Sequence, residues 1–196
     1  MGSITLGIKR GKGISKEQLG TGNCPCITYS EINEEYSECI DEVISFTDEK
    51  ELTEKNYCEK GDLLITRSSH TLDKIGTASV YLQDKPCLIG ENVLCFRHNQ
   101  NPKYISYALS LNTSKQQKKR YASKGVAVYI KSKDIKKIKI PLPSLEIQEQ
   151  VVEVLDAFRE LVRELENEIK LRKQQFEYYK EKLISNIDKS EFKKFG

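Results

Sequence analysis

The pattern of apolar and polar positions divides the chain into two stretches of different period. Up to Ile140 the apolar residues come in short runs bounded by turn residues. Leu63-Leu64-Ile65-Thr66 follows the turn Lys60-Gly61-Asp62, Thr77 to Leu82 follows Gly76, and Cys87-Leu88-Ile89 and Val93-Leu94-Cys95-Phe96 flank Gly90-Glu91-Asn92. Short aliphatic and β-branched runs between such punctuation read as strands, here of one curved sheet. After Asn101-Pro102, the spacing of Tyr104, Ile105, Tyr107, Ala108, Leu109 and Leu111 predicts a helix with proline in its first turn. Val126 to Ile130 reads as a strand, and Ser132 to Ile135 as a short segment leading to Ile138-Lys139-Ile140. The alternation of those last three predicts an edge strand ended by Pro141.

Beyond Pro143 the period changes to that of a single long helix. Proline disfavours helical geometry at Leu142, and Ser144 is placed to act as N-cap, with Glu146 and Glu149 near the positive end of the helix dipole. A seven-residue series runs Leu155, Val162, Ile169, Phe176, Leu183, and a second runs Phe158, Leu165, Arg172, Tyr179. This is a heptad seam, and such a seam needs a partner. From Leu145 to Leu183 the helix would be about 58 Å long at 1.5 Å per residue. The expected fold class is α/β (α+β): a mixed curved-sheet domain over residues 1–143, one long coiled-coil helix over 144–186, and a tail over 187–196.

Composition changes this picture in one respect. Charged residues make up 31% of the 196, above the usual ~25%, which fits long solvated helix faces. The charges are also sorted. Between Glu31 and Lys60 eleven acids stand against three lysines, whereas between Lys115 and Lys139 ten basic residues stand against the single acid Asp134. A segment so basic attracts a polyanion through counterion release, or else is a solvated surface. No run reaches the ~18 apolar residues of a membrane span and the first residues carry no apolar signal core, so a cytoplasmic protein with no membrane partner is expected.

The six cysteines, Cys24, Cys26, Cys39, Cys58, Cys87 and Cys95, are irregularly spaced without a CxxC pair. They read as free thiols, and no metal site is expected. The weak exception is Cys24-Pro25-Cys26, should the fold bring His70 or His98 beside it.

No reaction chemistry stands out. Asn101-Pro102-Lys103-Tyr104 is one residue away from the Asn-Pro-Pro-Tyr motif of amino-methyltransferases, but no glycine-rich cofactor turn precedes it, and a helix start explains it. Gly7 to Lys12 is one residue short of a phosphate-binding loop and lacks its hydroxyl. Neither histidine has a nucleophile or carboxylate at motif spacing. No catalytic residue is therefore assigned.

What remains suits the reading of nucleic acid. Arg67, Ser68, Ser69 and His70 form a polar loop after a strand, with an arginine suited to guanine and hydroxyls suited to phosphate. Lys115, Lys118, Lys119, Arg120, Tyr121 and Lys124, interleaved with Gln116 and Gln117, form a basic run in which glutamine suits adenine and lysine suits phosphate. The competing role for Arg67 is an ion pair with the acidic segment.

The order of these parts resembles the specificity subunit of Type I restriction-modification systems. The likeness rests on IPLPSLEIQEQVVEVLD from Ile140 to Asp156, on Gly61-Asp62-Leu63-Leu64-Ile65-Thr66-Arg67 followed by Gly76, and on Gly125 to Ile140. The resemblance implies a DNA target recognition domain followed by a spacer helix. It implies double-stranded DNA and methyltransferase subunits as partners, with a restriction subunit as an optional third. It also implies no cofactor on this chain, S-adenosylmethionine belonging to the methyltransferase subunit. Family members carry two recognition domains and two antiparallel helices. This chain has one of each, with no internal repeat. A unit with an open seam can close about a two-fold axis. The expectation is an antiparallel homodimer through Leu155, Phe158, Val162, Leu165, Ile169, Phe176, Tyr179 and Leu183, reading a bipartite palindrome. The alternatives are a coiled-coil adaptor that meets an acidic protein, and a stand-alone adenine methyltransferase.

Overall fold

A computed structural model describes residues 4–14 and 16–187. Most of the expected tail, residues 188–196, lies outside the described residues. The chain forms two compact units, one up to Glu149 and one from Gln150 onward.

The described residues of the first unit form a five-stranded sheet, a four-stranded sheet and a two-stranded ribbon rather than the single curved sheet expected. The larger holds β1 (Thr5–Arg10), β3 (Cys39–Ile40), β6 (Leu63–Thr66), β8 (Ala78–Tyr81) and β10 (Val93–His98), in the order β1-β10-β6-β8-β3. Its pairs are antiparallel except β3 with β8. The smaller holds β2 (Leu19–Ile27), β4 (Ser45–Thr47), β5 (Tyr57–Cys58) and β9 (Cys87–Ile89), in the order β4-β2-β9-β5. Cys87-Leu88-Ile89 therefore leaves the sheet of its sequence neighbours, because Leu88 and Ile89 pair in parallel with Cys26 and Ile27. Ile27, Ile32, Ile40, Leu64, Tyr81, Ile89 and Val93 make the main core. β6 lies at the centre of its sheet and is buried at all four positions, which is why it reads as a continuous apolar run rather than an alternating one.

Left-handed backbone falls on residues that tolerate it, among them Gly61 with φ 87° and Asn92 with φ 65°. α1 (Tyr29–Glu34) opens on a capping box between Thr28 and Glu31. α2 (Pro102–Ser110) starts as expected, with Pro102 in its first turn and the Asn101 carboxamide oxygen accepting the Tyr104 N–H at 3.1 Å. It packs on β6 and β8, where Ile105 and Leu109 are fully buried. α3 (Asn112–Tyr121) carries the basic run.

Two expected strands are shorter or absent. Of Val126 to Ile130 only Val128–Tyr129 pairs, as β11, while Val126 and Ala127 belong to the loop before it. Ile138-Lys139-Ile140 forms no strand, although its alternation correctly places Ile138 inside. The reason is the Gln117 side chain. Its carbonyl accepts the Lys139 N–H at 2.9 Å and its amide donates to the Lys139 carbonyl at 2.8 Å, so a carboxamide takes the place of a neighbouring strand. The short segment before it is α4 (Ser132–Ile135).

α5 (Leu145–Ser185) is 41 residues long, about 60 Å at 1.5 Å per residue. Its first residues belong to the first unit, where the approach Pro141-Leu142-Pro143 is held by its carbonyls, since neither proline offers an N–H. Tyr104 Oη donates to the Pro141 carbonyl at 3.2 Å. Gln148 Nε2 donates to the Pro143 carbonyl and to Gln100 Oε1, both at 2.9 Å, while its Oε1 accepts the Asn101 N–H at 3.1 Å. Gln148 is fully buried. Ser144 stands at the helix boundary as expected, and its carbonyl accepts the Gln148 N–H at 3.0 Å. The tie that fixes this end is nonetheless the Gln148 side chain, which the sequence reading did not single out.

Candidate nucleic-acid interface

The arginine loop and the strand that follows the basic run meet in one two-stranded ribbon. β7 (Ser68–Ser69) pairs antiparallel with β11, Ser68 opposite Tyr129 and Ser69 opposite Val128. On the far side of β11, Ser123 and Tyr129 exchange both backbone bonds, at 2.8 and 3.0 Å. The ribbon is anchored at its base. The Arg67 N–H donates to the Asn92 carbonyl at 2.7 Å, and the Arg67 carbonyl accepts the Ile130 N–H at 2.9 Å. Asn33 of α1 donates to the Ser68 carbonyl and accepts from the Thr66 hydroxyl, each at 3.1 Å.

Arg67 makes no ion pair with the acidic segment among the described residues. Its guanidinium lies over the Tyr129 ring, 4.7 Å from the centroid, and only 8% of the residue is exposed. The Nε is buried without a hydrogen-bond partner. Burial, helped by Arg10, holds its pKa below the usual guanidinium value, while Glu91, bound to Arg10 at 3.2 Å, acts the other way. Ser69 is buried, and its hydroxyl accepts the Thr71 N–H at 3.2 Å, so it shapes the turn. Ser68 is half-buried and His70 exposed.

The basic run is less uniform than its sequence suggests. Lys115, Arg120 and Lys124 are exposed. Lys119 is paired with Asp73, and Tyr121 carries the Lys137 ammonium 5.5 Å from its ring centroid. Lys118 is turned inward, 3% exposed, and donates to the Leu109 carbonyl at 2.9 Å. Burial, with Lys115 adding to it, pushes its pKa down to about 7. Its stem fills the space beside Gly76, where any Cβ would meet the Lys118 Cδ at 3.0 Å. Lys118 therefore belongs to the interior and is withdrawn from the interface. Gln117 is likewise engaged with Lys139 and not free for a base. Four lysines outside the marked run, Lys131, Lys133, Lys136 and Lys139, are exposed on the same segment, so the charged surface extends past Lys124. Asp134, the acid among them, is bound by Lys137 at 2.8 Å.

None of the six cysteines forms a disulfide, five of them are buried, and burial pushes the Cys26 thiol up to about 12. Among the described residues no cluster of three or more metal-ligating side chains occurs, and no helix is long and apolar enough to cross a membrane. The carboxamide of Asn101, the first residue of the methyltransferase-like tetrapeptide, is used as a helix cap.

In the second unit, the α5 seam residues lie open. Phe158, Val162, Leu165, Ile169, Phe176, Tyr179 and Leu183 are all exposed, whereas Leu155 is half-buried. Arg172 reaches Glu168 at 3.4 Å within the same helix.

The family of Type I restriction modification DNA specificity domains matches residues 5–172. The chain belongs to that family. It is 30% identical over 128 residues to a Type I restriction enzyme specificity subunit of Escherichia coli, covering 62% of this chain and 31% of that one. It is 32% identical over 117 residues to a chain named as such a subunit in Methanocaldococcus jannaschii, covering 57% and 27%. The fold is similar to the S subunit of a Type I restriction-modification system from M. genitalium, with a TM-score of 0.59 at 18% identity, over 96% of this chain and 45% of that one. The chain thus spans less than half the length of these relatives. The shared architecture is a mixed α+β unit with open curved sheets and a long C-terminal helix.

Proposed function

We propose that this chain acts as a non-catalytic DNA-reading specificity unit, with the β7–β11 ribbon and its basic surroundings as the reading surface. The observation that carries the proposal is the pairing of Ser68-Ser69 with Val128-Tyr129, which brings the arginine loop and the lysine-rich segment onto one element. A two-stranded ribbon fits the major groove, where base pairs are distinguishable. Arg67, His70, Lys115, Lys119, Arg120, Tyr121 and Lys124, with Ser68 on the ribbon, are the proposed contacts, joined by Lys131 and Lys133. The lysines position the protein on phosphate, and bases are read from the ribbon. Methyl transfer with S-adenosylmethionine then falls to a methyltransferase subunit that docks on this chain, and DNA cleavage to a restriction subunit.

The exposed seam of α5 supports the second part of the proposal, an antiparallel homodimer. A pair crossing near Ile169 sets Arg172 of one helix opposite Glu166 of the other, so the polar break in the seam acquires a partner and fixes the register. Two copies related in this way present two reading surfaces to an inverted repeat, with the spacer set by helix length. The test is selection from random duplex DNA by the full chain together with its methyltransferase subunit. Enrichment of an inverted, bipartite sequence with a fixed spacer is expected. Enrichment of no sequence overturns the proposal.

A further inference from the structure

The loop between Ser123 and Tyr129 carries a feature that the fold does not use. Val126 is 111% exposed, more than any other large apolar residue described. At Gly125 beside it an added Cβ would meet only the Ala127 carbonyl of its own loop, at 3.6 Å. An apolar side chain in that position gives nothing to folding, whereas covering one would stabilise whichever state covers it. The loop is held in shape by the two Ser123–Tyr129 backbone bonds and by the pairing of β11 with β7. It forms the tip of the ribbon. The cations nearest in sequence, Lys124, Lys131 and Lys133, are exposed, and Asp134 is neutralised by Lys137. The loop therefore combines one bare apolar group with exposed cations close to it in sequence.

We propose that Val126 is a specificity-determining residue that reads the C5 methyl of a thymine in the major groove. This rests on the DNA-reading function proposed above. The thymine methyl is the apolar group that base edges present in that groove, and small apolar side chains are the residues that contact it. A protein partner would also cover an apolar residue, but the exposed lysines that flank it in sequence favour a polyanion over the mixed rim of a protein interface.

Uracil differs from thymine by that methyl alone, so it supplies the probe. In the duplex selected by the full chain and its methyltransferase subunit, each thymine is replaced in turn by uracil, and affinity is measured for the wild type and for Val126→Ala. Burial of one methyl predicts a loss of about fourfold at one position per half-site, and about fifteenfold when both half-sites are changed. Val126→Ala is expected to be insensitive to the same change and to select half-sites relaxed at that position. Its thermal unfolding should match the wild type, because the side chain touches nothing in the fold. Half-sites without thymine, uracil that is neutral everywhere, or a uracil penalty that persists in Val126→Ala would each overturn this inference alone. So would a variant whose association with the methyltransferase subunit fails while its selected sequence is unchanged. Absence of any enriched sequence removes the proposed function and this inference together.

Discussion

Helices α2 and α5 use the same sequence grammar and meet opposite fates. Each is announced by proline, each carries an apolar stripe at helical spacing, and each stripe is broken by polar residues on the other face. In α2 the stripe is closed by the chain itself, with Ile105 and Leu109 fully buried against β6 and β8. In α5 it is left open, with Ile169 at 55% and Phe176 at 65% exposure. The difference lies in length. Nine residues can lie on a sheet of short strands, whereas 41 exceed what a unit of this size can cover. Apolar periodicity thus reports that a face requires cover, and the reach of the helix decides whether the cover comes from the same chain.

Matched substitutions in the two stripes test this division most strongly. Ile169→Asp should leave the first unit folded and abolish self-association. A buried unpaired charge of about 3–5 kcal/mol corresponds to a fall of more than ~100-fold in the association constant. Sedimentation over a range of concentrations measures it, and a wild type that stays monomeric at high concentration contradicts the open-seam reading. Leu109→Ala should do the reverse, lowering stability to denaturant by about 2–5 kcal/mol without changing association.

Lys118 sharpens the comparison, because it is a charged residue that the fold covers. Its value of about 7 lies below the 10.5 of the free amine. Between those pH values the unfolded chain holds a proton that the folded chain lacks, so this residue makes stability rise with pH from about 7 toward 10.5. Lys118→Met removes that dependence. The variant should be more stable than the wild type at pH 7 by on the order of 3 kcal/mol, after allowance for the lost bond to Leu109, and the gain should shrink toward pH 10. Denaturant melts of the two proteins at both pH values measure the difference. The same variant should bind DNA with an unchanged salt dependence, whereas Lys124→Ala and Lys133→Ala should flatten it.

These cases separate what could be read from the sequence from what could not. The α2 start, the β6, β8 and β10 runs, and the heptads of α5 were legible because each is encoded by local residues at a fixed period. The smaller sheet was not, because the nine residues of β2 include Gly20, Gly22 and Pro25 and pair in parallel with a strand sixty residues away. Nor were the roles of Gln117 and Gln148. A carboxamide that replaces a strand or ties a helix to a distant turn leaves no periodic trace. For the candidate interface, the sequence marks residue types but not how the fold groups them. Arg67 and Lys118 look alike as cations in a string of letters, yet one stacks on a ribbon tyrosine and the other fills the space beside a glycine.

The starts of the two helices give the finest test. In α2 the Asn101 side chain caps the first turn, so Asn101→Ala should cost about 1 kcal/mol. In α5 the Ser144 hydroxyl makes no hydrogen bond among the described residues, so Ser144→Ala should cost less than about 0.5 kcal/mol. The anchor there is Gln148, and its removal leaves the part-buried Asn101 N–H and Pro143 carbonyl without that partner. Gln148→Ala should therefore cost about 1–3 kcal/mol, the largest of the three. Urea unfolding of the three variants orders them directly. If Ser144→Ala proves as costly as Asn101→Ala, then α5 begins on a hydroxyl cap like an ordinary helix. If the order holds, the start of α5 is held by the Gln148 side chain rather than by a cap on its own first turn.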